Sequence, residues 1–187
     1  RTFGLGEKTG IDLTAEAPGL VPSKEWKQKT KGESWFLGDT YNLSIGQGDL
    51  LVTPLQVATY AAAVANGGTL VRPHVMSQPF AARASHLTDP ATLETVRLGM
   101  RDAVIYGSAR ALSILPFPVA GKTGTAQWNA NKKTHAWFTG FAPFEAPEIV
   151  VAVLIEEGGE GSSFAVPVAK EILQHWWKIR AERGEAF

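Results

Sequence analysis

One apolar run near the carboxyl end, residues 149–155, constrains the fold more than any other part of the sequence. Successive side chains of a strand point to opposite faces, so a strand that is apolar throughout must be covered on both faces. Residues 119–127, 135–141 and 149–156 all have strand character, and the short connections between them favour antiparallel pairing. We therefore expect an α+β fold, in which helices flank a mostly antiparallel sheet.

Three helices are expected around this sheet. The first begins at Thr53 and Pro54, where Gln56 completes a Thr-x-x-Gln capping box, and it ends at the Asn-Gly-Gly of residues 66–68. The second follows Asp89 and runs to Gly107, with a short helical turn over residues 108–112. The third covers residues 165–180. Residues 1–52, before the first helix, are predicted to form loops with short elements. Residues 69–71, directly after this helix, are predicted to form a short strand.

Two of these helices carry predicted buried faces. On the first helix the apolar positions are Leu55, Ala58, Ala62 and Ala65. On the last helix the stripe consists of Val168, Ile172, Trp176 and Ile179, with Ala169 and Leu173 widening it. Trp176 and its neighbour Trp177 are therefore assigned to packing and not to a partner surface.

Charge and composition exclude several classes of function. Eighteen basic and eighteen acidic side chains cancel, so no global field favours nucleic acid or an anionic membrane surface. Cysteine is absent, which removes disulfides, thiolate metal sites and a cysteine nucleophile. The four histidines lack metal-ligand spacing. No run of eighteen apolar residues occurs, and the first residue is Arg1, so we expect a piece of a longer protein with any membrane anchor upstream.

Residues 121–127, Gly-Lys-Thr-Gly-Thr-Ala-Gln, form the segment with the most chemical content. A phosphate-binding loop ending in Gly-Lys-Thr requires glycine five residues before Gly121, but that position is Pro116, and a strand follows instead of a helix. On a strand, Thr123 and Thr125 point to one face, and Lys122 to the other. Two neighbouring hydroxyls can hold a carboxylate, and an ammonium adds attraction and proton transfer.

Two backbone features of the same strand complete this interpretation. Gly124 has no side chain, so a substrate backbone can lie against the strand edge. The N–H of Thr125 is then available to a developing oxyanion. Together these features favour acyl transfer on a peptide with a terminal carboxylate.

The segment resembles the third motif of the class B penicillin-binding proteins, a family in which Lys-Thr-Gly accompanies Ser-x-x-Lys and a serine-asparagine motif. Other matches follow in the family's order along nearly all of the chain. They are Phe3-Gly4-Leu5-Gly6, Thr9-Gly10-Ile11-Asp12-Leu13, Ser44-Ile45-Gly46-Gln47-Gly48, Val52-Thr53-Pro54-Leu55-Gln56, Asn66-Gly67-Gly68, and residues 136–143. Residues 26–29 and 45–48 are most similar to elongation-type members, with division-specific members as the close alternative.

This resemblance implies a β-lactamase/transpeptidase-like fold and a serine D,D-transpeptidase that crosslinks stem peptides ending in D-Ala-D-Ala and is inhibited by β-lactams. It needs no cofactor or metal. Lys122 would support the proton relay, Thr123 and Thr125 would bind the carboxylate, and the Thr125 N–H would form half of the oxyanion hole. Trp128 is a further candidate for the substrate groove.

Neither Ser-x-x-Lys nor Ser-x-Asn occurs in the chain. Residues 1–187 are thus expected to be the C-terminal part of one transpeptidase domain, whose upstream half supplies the nucleophile. Alone, this part should not react with a β-lactam. The resemblance also implies attachment to the cytoplasmic membrane, with the catalytic domain on the periplasmic side beside a glycosyltransferase.

Other interpretations of function stay open at this point. The domain could be a β-lactam-sensing receptor or a non-catalytic scaffold of the cell envelope. His135 could be a general base, although a structural strand histidine is favoured. The carboxylates of Glu156, Glu157 and Glu160 follow a strand in a glycine-rich segment, which favours a solvated loop.

Overall fold

The structure is a computed structural model that describes residues 1–77 and 79–185. The helices in these ranges are α1 (Lys24–Lys31), α2 (Leu37–Ser44), α3 (Pro54–Ala65), α4 (Pro90–Ile105) and α5 (Gly161–Glu182), with a 3-10 turn at Arg110–Leu112. The strands are β1 (Leu70–Val71), β2 (Ala82–Ala84), β3 (Ala120–Ala126), β4 (His135–Ala142) and β5 (Ile149–Ile155). The predicted α+β class is confirmed.

The main sheet has the order β3-β4-β5, and both pairs are antiparallel. Lys122 lies opposite Thr139, and Thr125 lies opposite Ala136. In the part of the chain that the structure describes, β3 and β5 each pair with β4 alone. The outer edge of β3 and the outer edge of β5 are therefore free. A smaller antiparallel sheet joins β1 to β2, and β2 was not predicted.

Helices cover both faces of the main sheet, as the apolar run in β5 predicts. On one face Phe138 and Val153 pack with Val166 and Leu173 of α5. On the opposite face Phe141 packs with residues of α3 and α4, and the half-buried side chains of that cluster include Val150. Because Phe138 and Phe141 are both fully buried, β4 is the centre of the core.

The start of α3 is as predicted. The Thr53 hydroxyl accepts the N–H of Gln56 at 3.1 Å, and the Gln56 side chain accepts the N–H of Thr53 at 2.9 Å. Gln56 is also fully buried, and its amide donates to the carbonyls of Glu7 at 2.8 Å and Pro18 at 2.7 Å. This one side chain therefore starts the helix and binds the N-terminal loop to it.

The predicted buried faces of α3 and α5 need correction. In α5 the buried residues are Gly161, Ala165, Val166, Ala169, Leu173 and Arg180. Val168 and Ile172, which were placed in the stripe, are 40% and 41% exposed, and the helix begins at Gly161. In α3 the buried set includes the polar Gln56 and Thr59, because the N-terminal loop covers that side, whereas Leu55, Ala58 and Ala62 are half-buried.

None of the helices within residues 1–77 and 79–185 is both long enough and apolar enough to cross a membrane.

Candidate functional site

The candidate site lies along the free edge of β3, at Lys122, Thr123 and Thr125. Residues facing each other in an antiparallel pair alternate between those that bond across the pair and those whose N–H and C=O point outward. The Thr123 carbonyl accepts from the Lys122 ammonium at 2.5 Å, and the Thr125 carbonyl accepts from the Gln47 amide at 3.0 Å. Both carbonyls therefore point away from β4. The N–H of Thr125 lies on the same outer edge, as the oxyanion interpretation requires.

Thr123 and Thr125 share one face of the strand, as predicted. They lie opposite Phe138 and Ala136, which both belong to the core cluster under α5. The Thr123 hydroxyl is hydrogen-bonded to the Ser108 hydroxyl at 2.6 Å. Ser108 lies in the connection between α4 and the 3-10 turn, and it is exposed. The sequence predicts Ser108 only as the start of a short helical turn, and its place beside Thr123 was not predicted.

The amino end of α5 approaches the same face. The N–H of Gly161 points at the Thr125 hydroxyl at 3.4 Å. A methyl group on Gly161 would meet the carbonyls of Trp137 and Gly124, so only glycine allows this close approach. The helix start therefore adds a positive dipole end beside Thr125.

Gly124 has a second explanation besides substrate access. It lies opposite Trp137, and a Cβ built on it would be 3.1 Å from the Cβ of Trp137. The missing side chain thus gives room to a large residue on the neighbouring strand. Its role toward a substrate stays a prediction.

The loop that carries Gln47 is held by α1 and α2. The Lys27 ammonium donates to the Asp39 carboxylate at 2.7 Å, and that carboxylate also accepts the N–H of Phe36. The Lys27 hydrogen bond first, and then the Phe36 N–H, lowers the pKa of Asp39 below its ordinary value. Asp39 lies in the first turn of α2, so this ion pair holds α2, whose other end leads into Gly46 and Gln47, against α1.

Trp128 lies in a cluster at the far end of the β3–β4 hairpin. Its ring stacks on His135, with centroids 5.2 Å apart, and the Lys132 ammonium lies 4.6 Å above it. Lys132 also pairs with Glu157 at 2.8 Å. Trp128 is 48% exposed, and its ring contacts come from the hairpin itself. Its contribution to a substrate groove stays a prediction.

His135 has the geometry of a structural residue. Its Nδ1 accepts the N–H of Glu157 at 3.0 Å, which fixes the ring against the end of β5. This supports the structural interpretation over a general base. Glu156, Glu157 and Glu160 are exposed, as a solvated segment predicts. No group of three His, Cys, Asp or Glu side chains within the described ranges could hold a metal ion.

Taken together, β3 and the adjacent Ser108 offer three hydroxyls, an ammonium and an outward backbone N–H. Such donors suit a substrate with a carboxylate and a carbonyl that becomes negatively charged. Gln47, like Ser108, was not identified as a site residue from the sequence. Its pattern, a polar residue between two glycines in a matched segment, was the available signal.

The model of the penicillin-binding protein transpeptidase domain matches residues 1–174. Among curated proteins, peptidoglycan D,D-transpeptidase MrdA of Acinetobacter baumannii is 36% identical over 211 residues, covering 96% of this chain and 30% of the relative. MrdA of Haemophilus influenzae is 34% identical, covering 100% of this chain and 33% of the relative.

Solved structures give the same picture. Pseudomonas aeruginosa PBP2 in complex with WCK 5153 has a TM-score of 0.81 and 40% identity, covering 94% of this chain and 42% of that one. Helicobacter pylori PBP2 in complex with MreC has a TM-score of 0.85 and 34% identity, with coverage of 96% and 35%. The chain spans about a third of the length of the curated relatives it matches.

Proposed function

We propose, from the premise that this chain belongs to the penicillin-binding protein transpeptidase domain family, that the complete protein is a peptidoglycan D,D-transpeptidase. In the first step a serine Oγ attacks the carbonyl of the D-Ala-D-Ala bond, forming an acyl-enzyme and releasing D-alanine. An acceptor amine then attacks the ester, forms the crosslink and regenerates the serine. A β-lactam takes the donor's place and leaves a stable acyl-serine.

The observation that carries this proposal is the outward edge of β3. The Thr125 N–H is on that edge, and the hydroxyls of Thr123 and Thr125 lie on one face beside it. We assign the Thr125 N–H to the oxyanion and the two hydroxyls to the terminal carboxylate. Lys122 stabilises the carboxylate and relays protons to serines supplied by the rest of the protein. Gly124 and Trp128 border the groove.

The nucleophile is proposed to lie outside residues 1–187, in the upstream half of the same domain. Ser-x-x-Lys is absent from these residues, and the curated relatives are about three times as long as the chain. Rows of exposed apolar side chains offer a surface for that half to cover. One row lies on α2 and its flanks, and another on α5. They are Phe36, Leu37, Tyr41 and Ile45, and Phe164, Val168 and Ile172.

The names of the relatives bear on the cellular setting of the complete protein. Their names refer to peptidoglycan synthesis, which supports a place in the cell envelope. We propose an elongation role at the extracytoplasmic face of the cytoplasmic membrane, with the anchor in a segment outside these residues. An MreC-type protein is a proposed partner, because the Helicobacter pylori PBP2 forms a complex with MreC. A membrane glycosyltransferase is the proposed second partner.

Labelling of the purified complete protein with a fluorescent penicillin tests the function. The expected result is one covalently labelled band, and prior treatment with unlabelled penicillin should abolish it. A D-Ala-D-Ala stem peptide should compete, and with an acceptor amine it should yield a crosslinked product and free D-alanine. A complete protein that neither labels nor releases D-alanine would exclude the proposal.

A further inference from the structure

The side chain of Gln47 lies across the free edge of the site strand. Its Nε2 donates to the Thr125 carbonyl at 3.0 Å, although the two residues are 78 positions apart in the sequence. Gln47 is half-buried, and it comes from the loop that follows α2. The acceptor it occupies belongs to the residue whose N–H is assigned to the oxyanion.

Antiparallel pairing shows which ligand atom needs that acceptor. In a hydrogen-bonded antiparallel pair, two residues exchange both of their N–H···O bonds. A ligand whose reactive carbonyl accepts the Thr125 N–H therefore places the N–H of that same ligand residue at the Thr125 carbonyl. In a stem peptide this is the N–H of the penultimate D-alanine. In a penicillin it is the N–H of the acylamino group, on the carbon next to the reactive carbonyl.

The loop geometry allows the side chain to leave while the backbone stays. The Gln47 N–H donates to the Asn42 carbonyl at 2.9 Å, and the Gly46 N–H to the Leu43 carbonyl at 3.1 Å. These bonds hold the loop backbone against the end of α2. Gly46 and Gly48 have φ of 74° and 75°, which places Gln47 between two left-handed residues in a tight turn. A side-chain rotation is thus enough to free the Thr125 carbonyl.

From this geometry we infer that Gln47 is a specificity-determining residue, which competes with the ligand N–H for the Thr125 carbonyl. The inference rests on the proposed transpeptidase function. A backbone carbonyl can accept two hydrogen bonds, but a ligand that pairs with β3 approaches the Thr125 carbonyl along the outer edge that the Gln47 amide occupies, so it displaces that amide. Ligands without an N–H next to the reactive carbonyl leave it in place. Gln47 therefore lowers the reactivity of the first group relative to the second.

The test compares two acylating ligands on the complete protein. Benzylpenicillin carries the acylamino N–H, and a carbapenem with a hydroxyethyl side chain does not. In the Gln47→Met variant, which keeps the length of the side chain but removes the donor, the second-order acylation rate by benzylpenicillin should rise about two- to tenfold, the range of one net hydrogen bond. The rate by the carbapenem should stay within about twofold.

Two controls make the result decisive. Gln174→Ala, on an exposed position of α5, should change neither rate. The carbapenem rate of Gln47→Met itself reports whether the variant is folded. An unchanged ratio between the two ligands would overturn the inference, as would an equal fall of both rates, which would make Gln47 a support of the strand. A wild-type protein acylated by neither ligand would instead refute the proposed function, and the inference with it.

Discussion

At the scale of single residues, Lys122 is the group whose role depends most on the rest of the protein. Its ammonium is exposed and donates to the carbonyl of Thr123 at 2.5 Å. In the proposed site it would turn to the serines of the upstream half and to the ligand carboxylate. Replacing Lys122 should therefore change the rate of acylation and not the folding of the protein.

Lys122→Ala in the complete protein should reduce the rate of β-lactam acylation at least tenfold, about 1.4 kcal/mol in barrier height. Stopped-flow acylation with a fluorescent penicillin measures this rate. Lys178→Ala, whose side chain is 73% exposed on α5, is the matched control and should react normally. An unchanged rate in Lys122→Ala would remove lysine from the proposed relay.

Ser108 is the second residue whose contribution can be isolated. Its hydroxyl is 2.6 Å from the Thr123 hydroxyl, and either oxygen can donate in this hydrogen bond, which holds the Thr123 side chain in place. Ser108→Ala should weaken ligand binding about two- to tenfold, the range of one net hydrogen bond, while the maximal acylation rate changes little. Saturation kinetics separate the two effects.

Ser113→Ala is the matched control for this prediction, because the Ser113 hydroxyl bonds locally to the Arg110 carbonyl. If the loss in Ser108→Ala were confined to the maximal rate, the hydroxyl would act on the chemical step and not on the carboxylate.

The sequence was enough to place Lys122, Thr123 and Thr125 together, because all three lie on one short strand with a fixed alternation. Ser108 and Gln47 could not be placed in this way. They are 15 and 78 residues from their partners on β3, and only the packing of α2, α4 and the sheet brings them to that edge. Local periodicity carries no information about such distant contacts.

At the scale of elements, α3 also combines a feature that local sequence predicts with one that depends on distant contacts. Its start was predictable, since the capping box is a local pattern. Its buried face was not, because the N-terminal loop covers the polar side and buries Gln56. The last helix was predicted in part: Ala169 and Leu173 are buried as expected, but Gly161 extends the helix to the sheet, and Ala165 and Val166 are buried instead of Val168 and Ile172.

Gln56→Leu should lower the free energy of unfolding of the complete domain by about 1–3 kcal/mol, since the hydrogen bonds from its amide to the carbonyls of Glu7 and Pro18 are lost. Chemical denaturation followed by tryptophan fluorescence measures the change. Gln28→Leu, on an exposed position of α1, provides the comparison and should stay within about 0.5 kcal/mol of the wild type. Equal stability of the two variants would contradict this role.

The contact between α1 and α2 gives a prediction about pH. The pKa of Asp39 is lowered by its hydrogen bond from Lys27 and then by the Phe36 N–H. A carboxyl with a lower pKa in the folded state stabilises fully above its unfolded pKa, and loses this contribution as the pH falls through the folded value. The contact should therefore persist from neutral pH to mild acid.

Asp39→Asn removes this linkage. From about pH 5 to about pH 2, the wild type should lose more unfolding free energy than the variant does. Asp102→Asn, an exposed position of α4, serves as the control and should follow the wild type. The same acid-induced loss in Asp39→Asn and the wild type would show that the ion pair adds no pH-dependent stability.

At the scale of the whole molecule, the chain forms one side of a proposed active site, and among the residues that the structure describes its main sheet has two free edges. The hydroxyls of Thr123 and Thr125 and the ammonium of Lys122 can bind and polarise a ligand. The serine that attacks it is proposed to come from the upstream half of the domain. Binding groups and nucleophile would then meet only in the complete protein.

The location of the acylated serine tests this account most directly. The complete protein is labelled with penicillin and digested, and the peptide that carries the added acyl mass is identified by mass spectrometry. The polypeptide of residues 1–187 is treated in parallel. The account predicts one modified serine, outside residues 1–187 and followed three residues later by lysine, and no label on the shorter polypeptide. An acylated serine within residues 1–187, or no acylation of the complete protein, would contradict it.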